Sequence, residues 1–198
     1  MSKQPGHALA SAIRRSGVRV AWQAIPRDRP RRDVADALVA RLAGPCGESV
    51  TVGRRCERCG ASSHGRPLVA GAPVHASISY AGDLVVAAVA DACRVLALGI
   101  DAERVSRVRR DDLRGVITPG RGTSLRRWTR VEAVLKADGR GLSIEPARVR
   151  IERSIRGVHG SIAGGDTGTA AGALDIRPRL LRVRGPRGVV ISLAVTSV

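Results

Sequence analysis

The scarcity of large aromatic side chains most strongly constrains how this 198-residue chain can fold. It contains no Phe, one Tyr, two Trp and one Met, although 43% of its residues are hydrophobic. The core must therefore be packed from Val, Leu, Ile and Ala. The length allows one domain, or two small halves that share one core.

Apolar patterning predicts a mixture of strands and helices. Helical spacing indicates helices over 33–43 and 128–137, the second ending at Asp138-Gly139. Because hairpins and helices follow one another without regular strand–helix–strand alternation, the expected fold class is α+β. Strands are predicted over 17–24, 74–80, 84–90, 95–103, 149–152, 180–184 and 188–196. The segments 56–67 and 157–173 are expected to be loops, and 104–126 to hold at most one short helix.

The net charge of +17 is the second global feature, and it comes almost entirely from arginine, because Lys3 and Lys136 are the only lysines. A GC-rich coding bias also inflates arginine, so the charge is weak evidence for a polyanionic partner. A nucleic-acid binder should interleave aromatics with basic residues, and this chain does not, so nucleic acid is not expected as a specific partner. Without an apolar run of membrane length or a signal core, a cytoplasmic protein without membrane association is expected.

Two carboxylates stand two residues apart in the predicted strand 95–103. Asp101 and Glu103 would lie on one face of the strand, beside the small Gly99 that would let a ligand approach. A hard cation such as Mg²⁺ would relieve their repulsion and bridge to phosphate oxygens. The alternative is a solvated strand end, with Arg104 and Arg107 neutralising the acids.

The predicted helix 128–137 carries Glu132 and Lys136 four residues apart, and therefore on one face. An exposed ion pair is the plain interpretation. However, a chain that otherwise uses arginine places one of its two lysines here. A compact ammonium that contacts phosphate as a point charge would explain that choice.

Four motifs together resemble the 4'-phosphopantetheinyl transferases of the surfactin-synthetase-activating type, particularly their short actinobacterial members. They are HGRP (64–67), SISYAGD (77–83), GIDAE (99–103) and WTRVEAVLKADGRGL (128–142). The resemblance spans roughly residues 17–155. It implies a monomer with the phosphopantetheinyl transferase fold, in which two similar α+β halves are related by a pseudo-twofold axis. Residues 1–98 would form the nucleotide side of the coenzyme A site, and 99–198 would carry the metal and catalytic motifs.

The reaction implied by this resemblance moves 4'-phosphopantetheine from coenzyme A to a serine hydroxyl of an apo acyl- or peptidyl-carrier protein. It depends on Mg²⁺ and releases 3',5'-ADP. By the same resemblance, Asp101, Glu103 and Glu132 would hold the metal, and Glu132 and Lys136 would be catalytic. The residues expected to contact coenzyme A are Arg31 (or Arg32), Arg66, Ser79, Tyr80 and Lys136.

Three features depart from the family pattern. Tyr80 stands where many members have histidine, and Val131 stands where the family has a lysine before Glu132. The segment 104–126 lacks the acidic helix expected for carrier-protein docking. These departures make a weak or inactive homologue that binds coenzyme A or carrier protein one alternative. The net charge of +17 makes a basic nucleic-acid-binding protein the other.

The cysteines suggest a second kind of site. Cys56 and Cys59 form a C-x-x-C pair, and Cys46 and His64 could complete four zinc ligands. A C-x-x-C without a second spaced pair is a weak zinc signal, and His64 also belongs to HGRP. A pair of free thiols is therefore the favoured interpretation, and Cys93 is expected in a turn.

Overall fold

The computed structural model describes residues 17–44, 50–56, 59–105, 124–140, 143–163 and 176–198. Two α-helices and ten strands are found in these ranges. The helices are α1 (Arg31–Ala43) and α2 (Leu125–Asp138). The strands are β1 (Val18–Ala24), β2 (Thr51–Arg55), β3 (Arg66–Ala70), β4 (Val74–Ala81), β5 (Leu84–Asp91), β6 (Val95–Arg104), β7 (Val149–Ser154), β8 (Gly157–Ile162), β9 (Arg179–Val183) and β10 (Val189–Ser197).

One order of elements occurs twice along the described chain: a strand, a helix and then four strands. The first sheet has the strand order β1-β5-β4, with β2 and β3 as a separate hairpin, and the second has the order β6-β10-β9-β8-β7. In each, the first strand pairs with the last, and the last pairs with the one before it. All these pairings are antiparallel, which confirms the α+β class. The predicted boundary between residues 98 and 99 falls inside β6.

The core is built from small aliphatic side chains, as the composition requires. Strand β5 is buried on both faces. Val86 and Ala88 belong to a cluster shared by both large sheets, whereas Val85 and Ala87 pack with α1. Helix α2 forms a third cluster with the second sheet, in which Val134 is fully buried.

Gly99 allows α2 to lie directly across β6. A Cβ at this position would be 2.0 Å from the carbonyl oxygen of Ala133 and 2.5 Å from the amide nitrogen of Ala137. The space beside Gly99 is thus filled by helix backbone, which corrects the expectation that it admits a ligand. Since side chains alternate along a strand, Asp101 and Glu103 share this helix-covered face.

The boundaries of α2 follow from its caps. The side chain of Ser124 accepts a hydrogen bond from the amide of Arg127 at 3.2 Å, so the helix begins three residues before the predicted start. It ends at Gly139, which has a φ of 94° and donates its amide to Leu135, as predicted. No helix in the described ranges combines the length and apolarity needed to cross a bilayer.

Three strand assignments differ from the sequence prediction. Strand β2 was not predicted, and β3 takes in Arg66 and Pro67 from the predicted loop 56–67. Strand β8 occupies the start of the predicted loop 157–173, because Gly160 fits closely beneath Val134 of α2. The predictions for 106–123 and 164–173, and those for Cys46, Gly141 and Leu142, concern residues outside the described ranges.

Candidate active site

Strands β4 and β6 lie side by side and are joined through serine hydroxyls. The amide of Ile100 donates to Ser77 Oγ at 3.0 Å, and the amide of Ala102 donates to Ser79 Oγ at 3.1 Å. Strand β6 is the edge strand of its sheet. The two serines therefore satisfy backbone donors that an edge strand leaves unpaired.

Asp101 is the centre of the polar groups at this seam. Its Oδ1 accepts a hydrogen bond from Ser79 Oγ at 2.9 Å and another from Lys136 Nζ at 2.7 Å. The residue is only 4% exposed, and its Oδ2 is buried without a hydrogen-bond partner among the described residues. One oxygen of a buried carboxylate thus still needs a ligand.

The structure does not show the simple ion pairs that were the alternative interpretation of Lys136 and Arg104. Lys136 bonds to buried Asp101 on β6 and does not simply pair with Glu132 along an exposed helix face. Arg104 pairs instead with Asp83 and the carbonyl oxygen of Ala81. Its alternative role as a counter-ion to the strand carboxylates is therefore not seen, and Arg107 lies outside the described residues.

Glu103 and Glu132 complete what we call the acidic group, formed by Asp101, Glu103 and Glu132. Burial and the neighbouring Asp101 carboxylate raise the pKa of Glu103, against a hydrogen bond from Trp128 and the charge of Lys136. Burial, Asp101 and Glu103 raise the pKa of Glu132, again opposed by Lys136. Within the described chain, no arginine contributes to either shift of pKa. Among the described residues, Lys136 is thus the cation that the three carboxylates share.

The carboxylate oxygens of the acidic group do not all lie close enough together to form a complete metal site. Within the described residues, the metal-ligating atoms that all lie within 4.8 Å of one another belong to Cys56, Cys59 and His64, and not to the acidic group. Lys136 supplies the positive charge that contacts Asp101. A cation held by all three carboxylates would therefore require their side chains to move closer together.

Tyr80 lies on the opposite face of β4 from Ser79, because neighbouring side chains alternate along a strand. The Arg31 guanidinium carbon is 4.5 Å from the centroid of the Tyr80 ring. The hydroxyl donates a long 3.5 Å hydrogen bond to the Arg31 carbonyl oxygen. Burial is the main cause that raises the pKa of Tyr80, and nearby Arg54 opposes it.

Arg31 and Arg54 lie beside this tyrosine, and Arg32 joins Arg54 through Asp36; we call Arg31, Arg32 and Arg54 the arginine group. Arg54 donates a hydrogen bond to Asp36 Oδ1, and Arg32 Nε lies 3.6 Å from Asp36 Oδ2. The Asp36 carboxylate thus pairs with two of the three guanidinium groups. The sequence does not single out Arg54 among 34 basic residues, whereas the structure shows that its side chain is only 9% exposed.

Arg66 lies at the start of β3, close to His75. Its Nη2 is buried without a hydrogen-bond partner among the described residues. Burial lowers the pKa of His75, and the positive charge of Arg66 lowers it further. An unpaired, buried guanidinium nitrogen fits an anion contact, as sequence analysis predicts for Arg66.

The predicted site residues therefore form two groups on opposite faces of β4, with Arg66 near His75. Ser79, Asp101 and Lys136 meet directly, whereas Tyr80 meets Arg31. No family model matches the chain, and no curated protein matches it. Function must be inferred from the chemistry of these residues.

Proposed function

We propose that this protein transfers 4'-phosphopantetheine from coenzyme A to a serine hydroxyl of an apo acyl- or peptidyl-carrier protein and releases 3',5'-ADP. The observation that carries the proposal is the buried Asp101 carboxylate. Among the described residues, one of its oxygens has no hydrogen-bond partner, and it shares Lys136 with two glutamates. The repeated order of elements agrees with the two similar halves that the family resemblance implies.

The acidic group fits a bound Mg²⁺ ion on two grounds. The carboxylates and Lys136 together leave an excess of negative charge, and Asp101 Oδ2 offers a buried oxygen with no donor in the described chain. Magnesium prefers such carboxylate oxygens and usually shares its remaining positions with water and substrate phosphates. When bound by Asp101, Glu103 and Glu132, it would neutralise charge on the phosphates of coenzyme A.

Lys136 is suited to hold a phosphate oxygen next to the acidic group. Its ammonium has three donors, one of which points to Asp101 Oδ1. The Lys136 side chain is 29% exposed, so its other N–H groups remain accessible to an anion. Its compact ammonium requires less space than a guanidinium would.

Glu132 is the candidate general base. In the metal-free protein, burial and the Asp101 and Glu103 carboxylates raise the pKa of Glu132, so its carboxylate accepts a proton there more readily than an ordinary glutamate does. As the serine oxygen forms its bond to phosphorus, the hydroxyl proton passes to Glu132. The bond between phosphorus and the ADP oxygen breaks, and its electron pair leaves with 3',5'-ADP.

The arginine group is the candidate nucleotide side of the site. Its excess of guanidinium groups over Asp36 suits a dianionic phosphate such as the 3'-phosphate of coenzyme A. The Tyr80 ring stacks against the Arg31 guanidinium, whose central carbon lies 4.5 Å from the ring centroid, and thereby helps to hold it in place. A tyrosine can thus occupy this position without the positive charge of a histidine.

Mass spectrometry of an apo carrier protein incubated with coenzyme A, Mg²⁺ and this chain tests the proposal. A gain equal to one phosphopantetheine is expected, and it should disappear when Mg²⁺ is chelated. Asp101→Asn should abolish the gain. The matched control is Asp91→Asn, which removes the charge of a surface aspartate paired with Arg19 at 3.0 Å and should behave like the parent. Coenzyme A binding without a mass gain would instead support an inactive homologue.

A further inference from the structure

The turn that follows β2 brings two cysteines together. The amide of Cys56 donates to the Ala61 carbonyl oxygen at 2.9 Å, and the amide of Gly60 donates to the Cys56 carbonyl oxygen at 2.8 Å. Gly60 has a φ of 73°, a conformation that favours glycine. The two sulfurs lie within 4.8 Å of each other.

His64 extends this cluster at the far end of the same loop. Its Nε2 lies 3.4 Å from Cys59 Sγ, and the ligand atoms of Cys56, Cys59 and His64 all lie within 4.8 Å of one another. With Zn–S near 2.3 Å and Zn–N near 2.0 Å, two ligands of a zinc tetrahedron are about 3.5 Å apart. The 3.4 Å between Cys59 Sγ and His64 Nε2 agrees with that value.

The second nitrogen of His64 is also held. Ser63 Oγ lies 3.2 Å from His64 Nδ1. Zinc-binding histidines characteristically have such a polar partner on the nitrogen that does not face the metal, because it fixes the orientation of the ring. His64 is therefore oriented with Nε2 toward the sulfurs.

We propose that Cys56, Cys59 and His64 bind a Zn²⁺ ion. Thiolate and imidazole ligands select zinc over Mg²⁺, which prefers oxygen, so this site is chemically distinct from the acidic group. The three side chains supply three positions of a tetrahedron. The proposal is independent of the transfer reaction, since none of its evidence involves coenzyme A.

The zinc ion would fix a loop that connects three parts of the first half. Arg32 donates hydrogen bonds from its guanidinium to the carbonyl oxygens of Ser62 at 3.0 Å and Ser63 at 3.3 Å. Gly65 has a φ of 103° and approaches the end of β2 so closely that a Cβ would be 2.3 Å from its last carbonyl oxygen. The metal would thus hold the start of β3, including Arg66, against β2 and the first turn of α1.

Metal content of the full-length chain tests this site. The protein is incubated with Zn²⁺ in reducing buffer, desalted and measured by elemental mass spectrometry. About one zinc per chain is expected. Cys59→Ser should lower zinc content at least tenfold, whereas Cys93→Ser, which changes an exposed free thiol, should retain it. Replacing zinc by Co²⁺ should give a thiolate-to-cobalt charge-transfer band in the parent and in Cys93→Ser, and a weaker one in Cys59→Ser.

Thiol reactivity of the parent protein provides a test that needs no variant. Zinc should slow alkylation of Cys59 at least tenfold relative to Cys93. The proposal is wrong if folded parent protein binds neither metal, if Cys59→Ser keeps the parental zinc content, or if zinc leaves Cys59 as reactive as before. A Cys56–Cys59 disulfide that persists with zinc and reductant present would also overturn it.

Discussion

Ser79 and Asp101 are joined by a 2.9 Å hydrogen bond that links β4 of one sheet to β6 of the other. The same serine hydroxyl accepts the amide of Ala102 at 3.1 Å. Its single proton is donated to Asp101, so Ser79 acts as a positioning residue for the buried carboxylate. The contact between Ser79 and the nucleotide that the family resemblance implies stays a prediction.

Replacing Ser79 by alanine should separate this positioning role from ordinary packing, because Ser77 provides a matched control. Both substitutions leave a buried backbone amide without its acceptor, so each should lower the free energy of unfolding by roughly 1–3 kcal/mol. Only Ser79→Ala also removes a donor from Asp101, and it should lower kcat for transfer by about tenfold or more. Denaturant unfolding and steady-state kinetics measure the two effects. Equal losses of kcat in both variants would contradict the positioning role.

The sequence predicts the shared strand face of Asp101 and Glu103, but it does not predict the hydrogen bond between Ser79 and Asp101. Alternation along β6 and helical spacing along α2 are local, so the sequence correctly places Asp101 and Glu103 on one strand face. The bond between Ser79 and Asp101 joins residues 22 positions apart through side chains, and it depends on how two sheets meet. No local period encodes that contact.

Packing accounts for the other differences from the prediction. From the sequence, the glycine in GIDAE predicts an opening for a ligand. In the structure, the backbone of α2 fills the space beside Gly99. Strand β8 contains glycine where the helix approaches closely, so its composition resembles that of a loop. Arg54 becomes a candidate only through its burial beside Asp36.

Glu132→Gln should stabilise the metal-free protein at neutral pH. The folded chain holds the Glu132 proton to a higher pH than the unfolded chain, because burial and Asp101 raise its pKa above the ordinary value of 4.5. The native state therefore binds more protons in this window, and the free energy of unfolding falls as pH rises through it. The variant should show a shallower decrease, measured by urea unfolding between pH 4 and 8 with chelator present.

The same substitution should lower kcat at least a hundredfold, since it removes the candidate base and a negative metal ligand. Stability and activity would then change in opposite directions. A stabilising ion pair between Glu132 and Lys136 predicts the reverse pattern: loss of stability with parental transfer. Observing that pattern would remove Glu132 from the catalytic assignment.

Val131→Lys tests whether the departure from the family pattern weakens the site. Val131 is fully buried in the cluster beneath α2 and does not lie at the surface. A lysine there would bury an unpaired ammonium, and we expect a loss of roughly 3 kcal/mol or more in the free energy of unfolding. Val131→Ile, which stays apolar, should cost about 1–3 kcal/mol at most. Faster transfer by Val131→Lys at unchanged Tm would instead show that valine lowers the activity.

Arg54→Ala should weaken coenzyme A binding more than it slows transfer. The substitution leaves Asp36 to pair with Arg32 and thus removes much of the positive charge of the arginine group. A phosphate contact remote from the reacting atoms contributes mostly uniform binding, so the KM for coenzyme A should rise about tenfold with little change in kcat. Arg19→Ala, which breaks an exposed pair with Asp91, is the matched control and should leave KM unchanged.

Dephospho-coenzyme A, which lacks the 3'-phosphate, identifies the group that is bound. If the arginine group contacts that phosphate, the parent and Arg54→Ala should have similar KM values for dephospho-coenzyme A. A tenfold difference that persists without the 3'-phosphate would place Arg54 elsewhere in the site.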